Sequence, residues 1–401
     1  MNVGVFTDND FDKVNGVTTS LRAAIEHAPE DIRVKIYTCD ARGADTPTYL
    51  SLKARGMRIP YYREMKVYAP PLMEFLRRAR ADSLDVVHLT TPGPIGLAAM
   101  WVAARLSLPL VGSFHTNFTE YAEILSGSRR LGDLVRRYLR WSYRRCRIVL
   151  APSEATRGML IENRIAPRTV RLWRRGVSTG RFSPAKRSEH RRWSWGVSAD
   201  RPALLYVGRL SREKGLEDLA EVRRALDARN IAHRFIFVGD GPLRPSLQEW
   251  FPSAVFTGTL APDEVAVAMA SSDVLLFPSR TDTAGNVVLE SQACGLPVVV
   301  TDEGGPQENV RPEHSGIICA NLRQLCRTAI ELSANKARRE RMSRAARAYA
   351  CSRTWEDALA PLYESYRDAA SARGARSSAP APGEPDLLLP RRSASSRQPA
   401  A

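Results

Sequence analysis

Acidic side chains are in short supply: the 401 residues carry 43 Asp and Glu against 59 Lys and Arg, a formal net charge of +16. Such a surplus suits phosphates, nucleic acid or an anionic membrane surface and does not choose among them. Long apolar runs are missing as well. No stretch approaches the roughly 20 consecutive apolar residues that cross a bilayer. Met1-Asn2-Val3-Gly4-Val5 opens the sequence without a basic segment leading into a signal core, so folding in the cytoplasm is expected. The six cysteines (Cys39, Cys146, Cys294, Cys319, Cys326, Cys351) are scattered, with no C-x-x-C pair and no His at zinc-finger spacing. That pattern argues against a disulfide framework and a structural metal, and the cysteines read as reduced packing residues. The remaining composition, 44% hydrophobic and 25% charged, is that of a globular protein, and the length favours two domains.

Short β-branched runs alternate with amphipathic stretches from the first residue. Residues 2–6, 33–38, 85–89, 108–112 and 147–151 have the pattern of buried parallel strands, with helical patterns at 17–27 and 94–106. The series restarts at 203–207, 234–238, 254–257, 273–277 and 297–301. Two such series predict an α/β protein of two Rossmann-like, doubly wound domains facing across a cleft. Polar, basic residues at 178–201 read as the connection, giving a first domain over 1–180 and a second over 181–370. Residues 371–401, rich in Ala, Ser, Pro and Arg, are expected to form a disordered tail. Ligands of open α/β sheets sit beyond the carboxyl ends of the strands, so informative residues should follow strands.

Three such loops carry suitable chemistry. Asn15-Gly16-Val17 places a glycine where a helix should begin, and the unpaired N–H groups there stabilise a phosphate. An ordinary turn capped by Asn15 has the same wording. In the second series, Gly208-Arg209 followed by Glu213-Lys214-Gly215 brings Arg209 and Lys214 to the carboxyl edge. A forked guanidinium and a compact ammonium suit the two phosphates of a nucleotide diphosphate, although a solvated basic loop contains the same letters. A third loop holds Asp282, Gly285, Asn286 and Val287, with Glu290 two helical turns further on. Gly285 lets backbone amides approach an anion, Glu290 can accept two hydrogen bonds from a ribose diol, and Asp282 lies nearer the reacting end. Spacing alone equally allows Asp282 to cap the helix and Glu290 to pair with an arginine.

Taken in order, six motifs resemble retaining glycosyltransferases of family 4, which have the two-domain GT-B fold. They are Asn15-Gly16-Val17, His88-Leu89-Thr90-Thr91-Pro92-Gly93-Pro94, Phe114-His115-Thr116-Asn117-Phe118, Gly208-Arg209 with Glu213-Lys214-Gly215, Val238-Gly239-Asp240-Gly241-Pro242, and Asp282 through Glu290-Ser291-Gln292-Ala293-Cys294-Gly295-Leu296-Pro297. The likeness covers residues 1–370. Thr281-Asp282-Thr283, Gly285-Asn286-Val287 and the His115 loop are most similar to the lipid-modifying branch with GDP-mannose-dependent α-mannosyltransferases and sulfoquinovosyl transferases. This resemblance implies transfer of a hexose, mannose favoured, from a nucleotide diphosphate sugar to a glycolipid or glycerolipid hydroxyl with retention of the α configuration. It implies Arg209 and Lys214 on the diphosphate, the Gly16 backbone opposite them, and Glu290 on the ribose. Asp282 and the backbone at Gly285, Asn286 and Val287 would hold the hexose and phosphate, Gly258 and Leu260 the base, and His115 the reacting face of the donor sugar. No protein nucleophile, cofactor or metal is implied, since the two cations take the place of a divalent ion. Ala284 stands where the branch commonly has Phe, and Ser178 where the family usually has Asp. The donor accordingly stays open between GDP-mannose and a UDP-hexose such as UDP-glucose, UDP-glucuronate or UDP-sulfoquinovose.

Residues 129–147 hold eight Arg and one acid, Asp133, for a charge of +7, with Leu131, Leu134, Val135, Tyr138 and Leu139 on a helical stripe. A helix of this kind rests on anionic lipid, or packs its stripe on the sheet with the arginines solvated. Residues 53–81 add Arg55, Arg58, Arg63, Lys66, Arg77, Arg78 and Arg80 among aromatic and apolar side chains. The expected partners are a nucleotide sugar, a lipid acceptor and an anionic membrane, with the enzyme peripheral on the inner face of the cytoplasmic membrane. Alternatives are a soluble or polysaccharide acceptor and sugar-nucleotide epimerisation or phosphorolysis on the same fold. Nucleic-acid binding has only charge in its favour, with no recognition motif.

Overall fold

The structure, a computed structural model, describes residues 1–9, 11, 15–59, 62–166 and 169–377. Its first half contains β1 (Asn2–Phe6), β2 (Arg33–Asp40), β3 (Ala44–Asp45), β4 (Tyr49–Lys53), β5 (Gly56–Ile59), β6 (Tyr62–Tyr68), β7 (Val86–Leu89), β8 (Leu110–Ser113), β9 (Ile148–Ala151) and β10 (Val170–Leu172). The second contains β11 (Ala203–Val207), β12 (Arg234–Val238), β13 (Val255–Gly258), β14 (Val274–Phe277), β15 (Val298–Thr301) and β16 (Gly316–Cys319). Helices of the first half are α1 (Gly16–Glu26), α2 (Leu72–Ala81), α3 (Pro94–Arg105), α4 (Phe118–Ser126), α5 (Arg129–Tyr143) and α6 (Glu154–Glu162). There follow α7 (Glu189–Ser194), α8 (Glu217–Asp227), α9 (Arg244–Trp250), α10 (Pro262–Ala270), α11 (Asn286–Ala293), α12 (Leu322–Ala334), α13 (Lys336–Cys351) and α14 (Trp355–Ser377).

The first sheet runs β10-β9-β8-β7-β1-β2-β4-β3, parallel except for β3 on β4, and β5 and β6 make a separate hairpin. The second runs β13-β12-β11-β14-β15-β16 and is parallel throughout. Every residue of β7, β9, β11, β14 and β15 is buried, as strands covered on both faces by helices require. The order reverses between β1 and β7 in one sheet and between β11 and β14 in the other. Loops diverge at such switch points and leave a crevice beyond the carboxyl ends. Asp8 and Asn15 follow β1, Arg209 follows β11 and Asp282 follows β14, so the chemically promising loops lie at the two reversals.

Helix α14 packs Trp355, Leu359, Leu362, Tyr363 and Tyr366 against Val3, Val5, Val86, Val111 and Leu150 of the first sheet. The chain therefore passes between the two sheets twice, near Gly176 and near Thr354, and the passages touch. A Cβ on Gly176 would lie 2.6 Å from the Thr354 carbonyl oxygen, and Trp355 Nε1 donates to Ser178 Oγ at 3.2 Å. Helix α14 runs to Ser377, past the compositional change at residue 371, and residues 378–401 lie outside the described residues.

One expectation is met in part and one changes. Helix α5 packs Val135, Tyr138, Leu139 and Tyr143 on the first core, while Leu134 of the same stripe is 60% exposed and Trp141 46%. Cys39, Cys146, Cys294 and Cys319 are buried, whereas Cys351 is exposed and is no packing residue. Among the described residues no helix is long and apolar enough to cross a membrane.

Candidate active site

Arg209 leaves the end of β11 half-buried, its carbonyl fixed by the Tyr206 hydroxyl at 2.9 Å. One turn of helix over Arg212–Lys214 follows, closed by Gly215 at φ +66°, where any Cβ would meet the Pro278 carbonyl oxygen at 2.9 Å. Thr281 Oγ1 donates to the Glu213 carbonyl at 2.8 Å and ties this turn to the loop after β14. As a result Lys214 Nζ lies 2.9 Å from Asp282 Oδ2, with the two side chains 13% and 24% exposed. The other carboxylate oxygen accepts the Ala284 and Gly285 amides at 3.1 and 2.8 Å. Asp282 is thus both the cap of α11 and the counter-ion of Lys214. Burial disfavours both charges, but their mutual attraction outweighs it: the ammonium is held well above the usual lysine range and the carboxyl below its own.

Gly285 has φ +69°, and a Cβ there would lie 2.7 Å from Pro306 Cα, so the turn requires glycine. Its N–H is already given to Asp282. Of the three backbone groups singled out from sequence, the Asn286 and Val287 amides have no acceptor among the described residues. Asn286 Nδ2 reaches the Gly16 carbonyl at 3.3 Å, which sets the start of α11 against the start of α1. Asn15 Oδ1 accepts the Val17 and Thr18 amides at 2.9 and 3.0 Å, so this turn is a filled helix cap that also faces the opposite sheet. Glu290 is half-buried with no ion pair or side-chain hydrogen bond among the described residues. Burial pushes its carboxyl up to about 7, opposed by the charge of Arg181. Gly258, at φ +72°, ends β13 and gives its carbonyl to the Gly239 amide at 2.9 Å, while Leu260 packs against the second core. These two lie farther along the same edge, beyond the β12 loop.

His115 follows β8 and faces the same loop, its carbonyl accepting from Thr283 Oγ1 at 2.7 Å. Its ring turns inward. Nε2 is 2.8 Å from Ser113 Oγ and Nδ1 is 3.1 Å from Arg175 Nη2, so neither ring nitrogen is left for the donor sugar in this geometry. Burial, then the charge of Arg175, hold the imidazole well below the usual histidine range. Sequence reading points to Ser178 but not to Arg175 three residues before it, because nothing in a lone arginine shows that it will be 3% exposed. Glu308 was missed as well: its carboxylate crosses the cleft to accept the Glu154 and Ala155 amides at the start of α6, both at 2.9 Å.

Other motif residues turn out to be structural. Asp8 accepts the Ile95 amide at 3.0 Å and the Thr91 hydroxyl at 3.0 Å, and a Cβ on Gly93 would strike its carboxylate at 2.6 Å. Gly239 and Gly241 are required because their Cβ positions fall 2.0 and 2.4 Å from the carbonyl oxygens of Gly208 and Leu210. Among the described residues no group of three or more His, Cys, Asp or Glu could hold a metal ion.

Residues 14–181 match the profile of Glycosyltransferase Family 4 and residues 201–335 that of Glycosyl transferases group 1. The GDP-mannose-dependent alpha-mannosyltransferase of Mycolicibacterium smegmatis is 33% identical over 94% of this chain and 100% of its own. The alpha-monoglucosyldiacylglycerol synthase of Streptococcus pneumoniae is 26% identical over 77% of this chain and 72% of its own. In three dimensions the sucrose-phosphate synthase of Thermosynechococcus elongatus superposes with a TM-score of 0.73 at 19% identity, over 92% of this chain and 99% of that one, which shows the GT-B fold. With two facing parallel sheets, family profiles on both halves and a relative matched along its whole length, the chain belongs to family 4 of the glycosyltransferases and is a retaining hexosyltransferase.

Proposed function

We propose that the chain transfers mannose from GDP-mannose to the hydroxyl of a glycolipid or glycerolipid at an anionic membrane surface. What supports this reading is the Lys214–Asp282 pair beside the α11 start, which Asn286 sets against the turn at Gly16, with Arg209 at the end of β11 and Glu290 without an ion pair or side-chain hydrogen bond among the described residues. Arg209 and Lys214 take the diphosphate, and Lys214 exchanges part of its bond to Asp282 for a phosphate oxygen. The Asn286 and Val287 amides add two donors, and the Gly16 backbone closes the opposite side. Glu290 accepts the ribose diol, Gly258 and Leu260 flank the base, and Asp282 with the His115 loop borders the hexose. As the anomeric C–O bond breaks, negative charge gathers on the departing diphosphate while the sugar ring becomes cation-like. Fixed cations and amides stabilise that distribution without reorganising. The acceptor hydroxyl attacks from the face the phosphate leaves, and the β-phosphate takes its proton, so configuration is kept.

The lipid acceptor draws support from the first domain's surface. Leu134 and Trp141 of α5 and Met73 of α2 are exposed, and the Arg145 guanidinium lies 3.9 Å over the Trp141 ring, at the edge of a cavity of about 770 Å³ that also involves Trp101 and Met100. Aromatic and basic groups side by side suit the inner face of a cytoplasmic membrane. Offering radiolabelled GDP-mannose, UDP-glucose, UDP-glucuronate and UDP-sulfoquinovose in parallel, each with anionic lipid extract, tests the assignment. Label in a lipid from GDP-mannose is expected. Label from a UDP-sugar alone overturns the donor, and label only in soluble product overturns the acceptor.

A further inference from the structure

The buried polar groups behind His115 form a chain with a direction, and Arg175 sets it. A guanidinium can only donate, so the contact from Nη2 makes His115 Nδ1 an acceptor. The neutral ring then carries its proton on Nε2 and donates it to Ser113 Oγ, 2.8 Å away. Ser113 has one proton, and its remaining partner is His88 Nε2 at 2.8 Å. His88 is left protonated on Nδ1, 2.6 Å from the Tyr366 hydroxyl. One obligate donor thereby orders four further groups contributed by β7, β8, the loop after β8 and α14. His88, Ser113 and Tyr366 are fully buried, and the whole chain is shielded from water that could scramble it. Arg175 has no carboxylate within ion-pairing range among the described residues. Its other contacts are the Trp173 carbonyl at 3.0 Å and the Trp173 ring at 4.6 Å, and its Nε has no partner there. A buried cation with no carboxylate in contact, opposed by burial and supported only by the more distant charge of Asp282, is costly, which makes a packing role a poor account of it.

We propose that Arg175 is a positioning residue of the transferase: by occupying Nδ1 it locks His115 as the neutral Nε2–H tautomer and seats the His115 carbonyl on Thr283 of the donor loop. His115 then keeps no lone pair with which to act as a base. The consequence for catalysis rests on the glycosyl-transfer reading above, in which a cation-like sugar forms beside this loop and an imidazolium there would oppose it.

Nitrogen-15 NMR of the imidazoles in the whole protein at neutral pH, without substrate, reads the tautomer whichever donor the enzyme uses. A pyridine-like Nδ1 and a pyrrole-like Nε2 on His115 are expected, and a protonated Nδ1 overturns the proposal. Arg175→Met should give mixed or reversed tautomers and lower kcat by about 10²-fold with donor KM little changed, the size of effect that slight misplacement produces. Arg175→Lys should restore a single tautomer and most of kcat. An unaltered tautomer in Arg175→Met, or a lost lock with undiminished kcat, refutes the positioning role. If Arg175→Met does not fold, Ser113→Ala breaks the chain one group further on. His88 should then lose its fixed tautomer while His115 Nδ1 stays an acceptor, and an unchanged His88 spectrum counts against the ordering. Absence of transfer from every donor, with the His115 tautomer as expected, fails the function reading and leaves the lock standing.

Discussion

Asp282→Asn keeps the size of the side chain and an acceptor for the Ala284 and Gly285 amides, but it takes away the counter-ion of Lys214. Two unit charges 2.9 Å apart attract by about 6 kcal/mol at an effective dielectric of 20. Part of that is returned because the desolvated carboxylate no longer has to be buried, and partial exposure lets water reach the ammonium. A net loss of about 3 kcal/mol is the reasonable figure for orphaning one member of a largely buried pair. At about 2–4 °C per kcal/mol for a domain of 150–250 residues, the melting temperature should fall by roughly 6–12 °C. Adding Lys214→Met removes the stranded charge, so the double variant should regain about 2 kcal/mol over Asp282→Asn alone. Urea unfolding of the two single variants, the double variant and the parent gives this coupling directly. Calorimetry adds a second reading: with Lys214 no longer shared, a nucleoside diphosphate should bind Asp282→Asn about tenfold more tightly, a gain of about 1.4 kcal/mol. Coupling below about 0.5 kcal/mol, the level at which independent sites simply add, would refute the counter-ion account.

Burial raises Glu290 to about 7, and a ribose diol needs the ionised form as acceptor, so donor binding pulls this carboxyl back down. Protonation therefore removes affinity: donor kcat/KM should fall about tenfold per pH unit below 7 and level off above it. Glu290→Gln should flatten that profile and raise KM by about 10–100-fold, as expected for losing hydrogen bonds to a charged group; a profile like the parent's counts against ribose binding. Gly285→Ala meets both a left-handed backbone and Pro306 Cα, and should cost about 1–3 kcal/mol in denaturant unfolding, with a near-zero change arguing that the turn is not rigid. Leu134→Ser and Trp141→Ser should each weaken sedimentation with anionic vesicles, and raised salt should release the parent. Vesicle binding indifferent to both would rule out this face.

Strand periodicity was readable because both sheets are covered by helices and their strands are almost wholly apolar, as in Val298-Val299-Val300. The strands not foreseen are short or peripheral: β3, β4 and β5 have two to five residues, β10 and β16 end the two sheets, and β6 pairs with β5 in a separate hairpin. The loops that bear chemistry were also readable, since residues at the carboxyl ends of strands must lie along one edge. What stayed hidden was who partners whom. Asp282 and Lys214 are 68 positions apart, and no spacing rule shows that a capping carboxylate will also neutralise that lysine. Arg175 and His115 are 60 apart and belong to different strand connections. At Asp282 and at Asn15 the capping reading holds, and each cap has a neighbour beyond its own helix, Lys214 for Asp282 and the start of α11 for the Asn15 turn, because a short polar side chain at a helix start can cap its own backbone while the turn stays open on its other face.

On the proposed reading, the charge that meets a diphosphate is smaller and more selective than a net +16 suggests. The Val17 and Thr18 amides at the start of α1 are spent on Asn15, the Gly285 amide on Asp282, and Lys214 is balanced by the same carboxylate. The Asn286 and Val287 amides have no acceptor among the described residues, and the buried guanidinium of Arg175 lies behind His115. Lys214 therefore joins only when a ligand offers its ammonium more than Asp282 does, which favours a highly charged pyrophosphate over a monophosphate. Because the competing carboxylate stays in place throughout, the same lysine can return to it when the nucleoside diphosphate leaves. A site with two uncompensated cations would bind that product more tightly and turn over more slowly, so the Lys214–Asp282 pair trades some ground-state affinity for release.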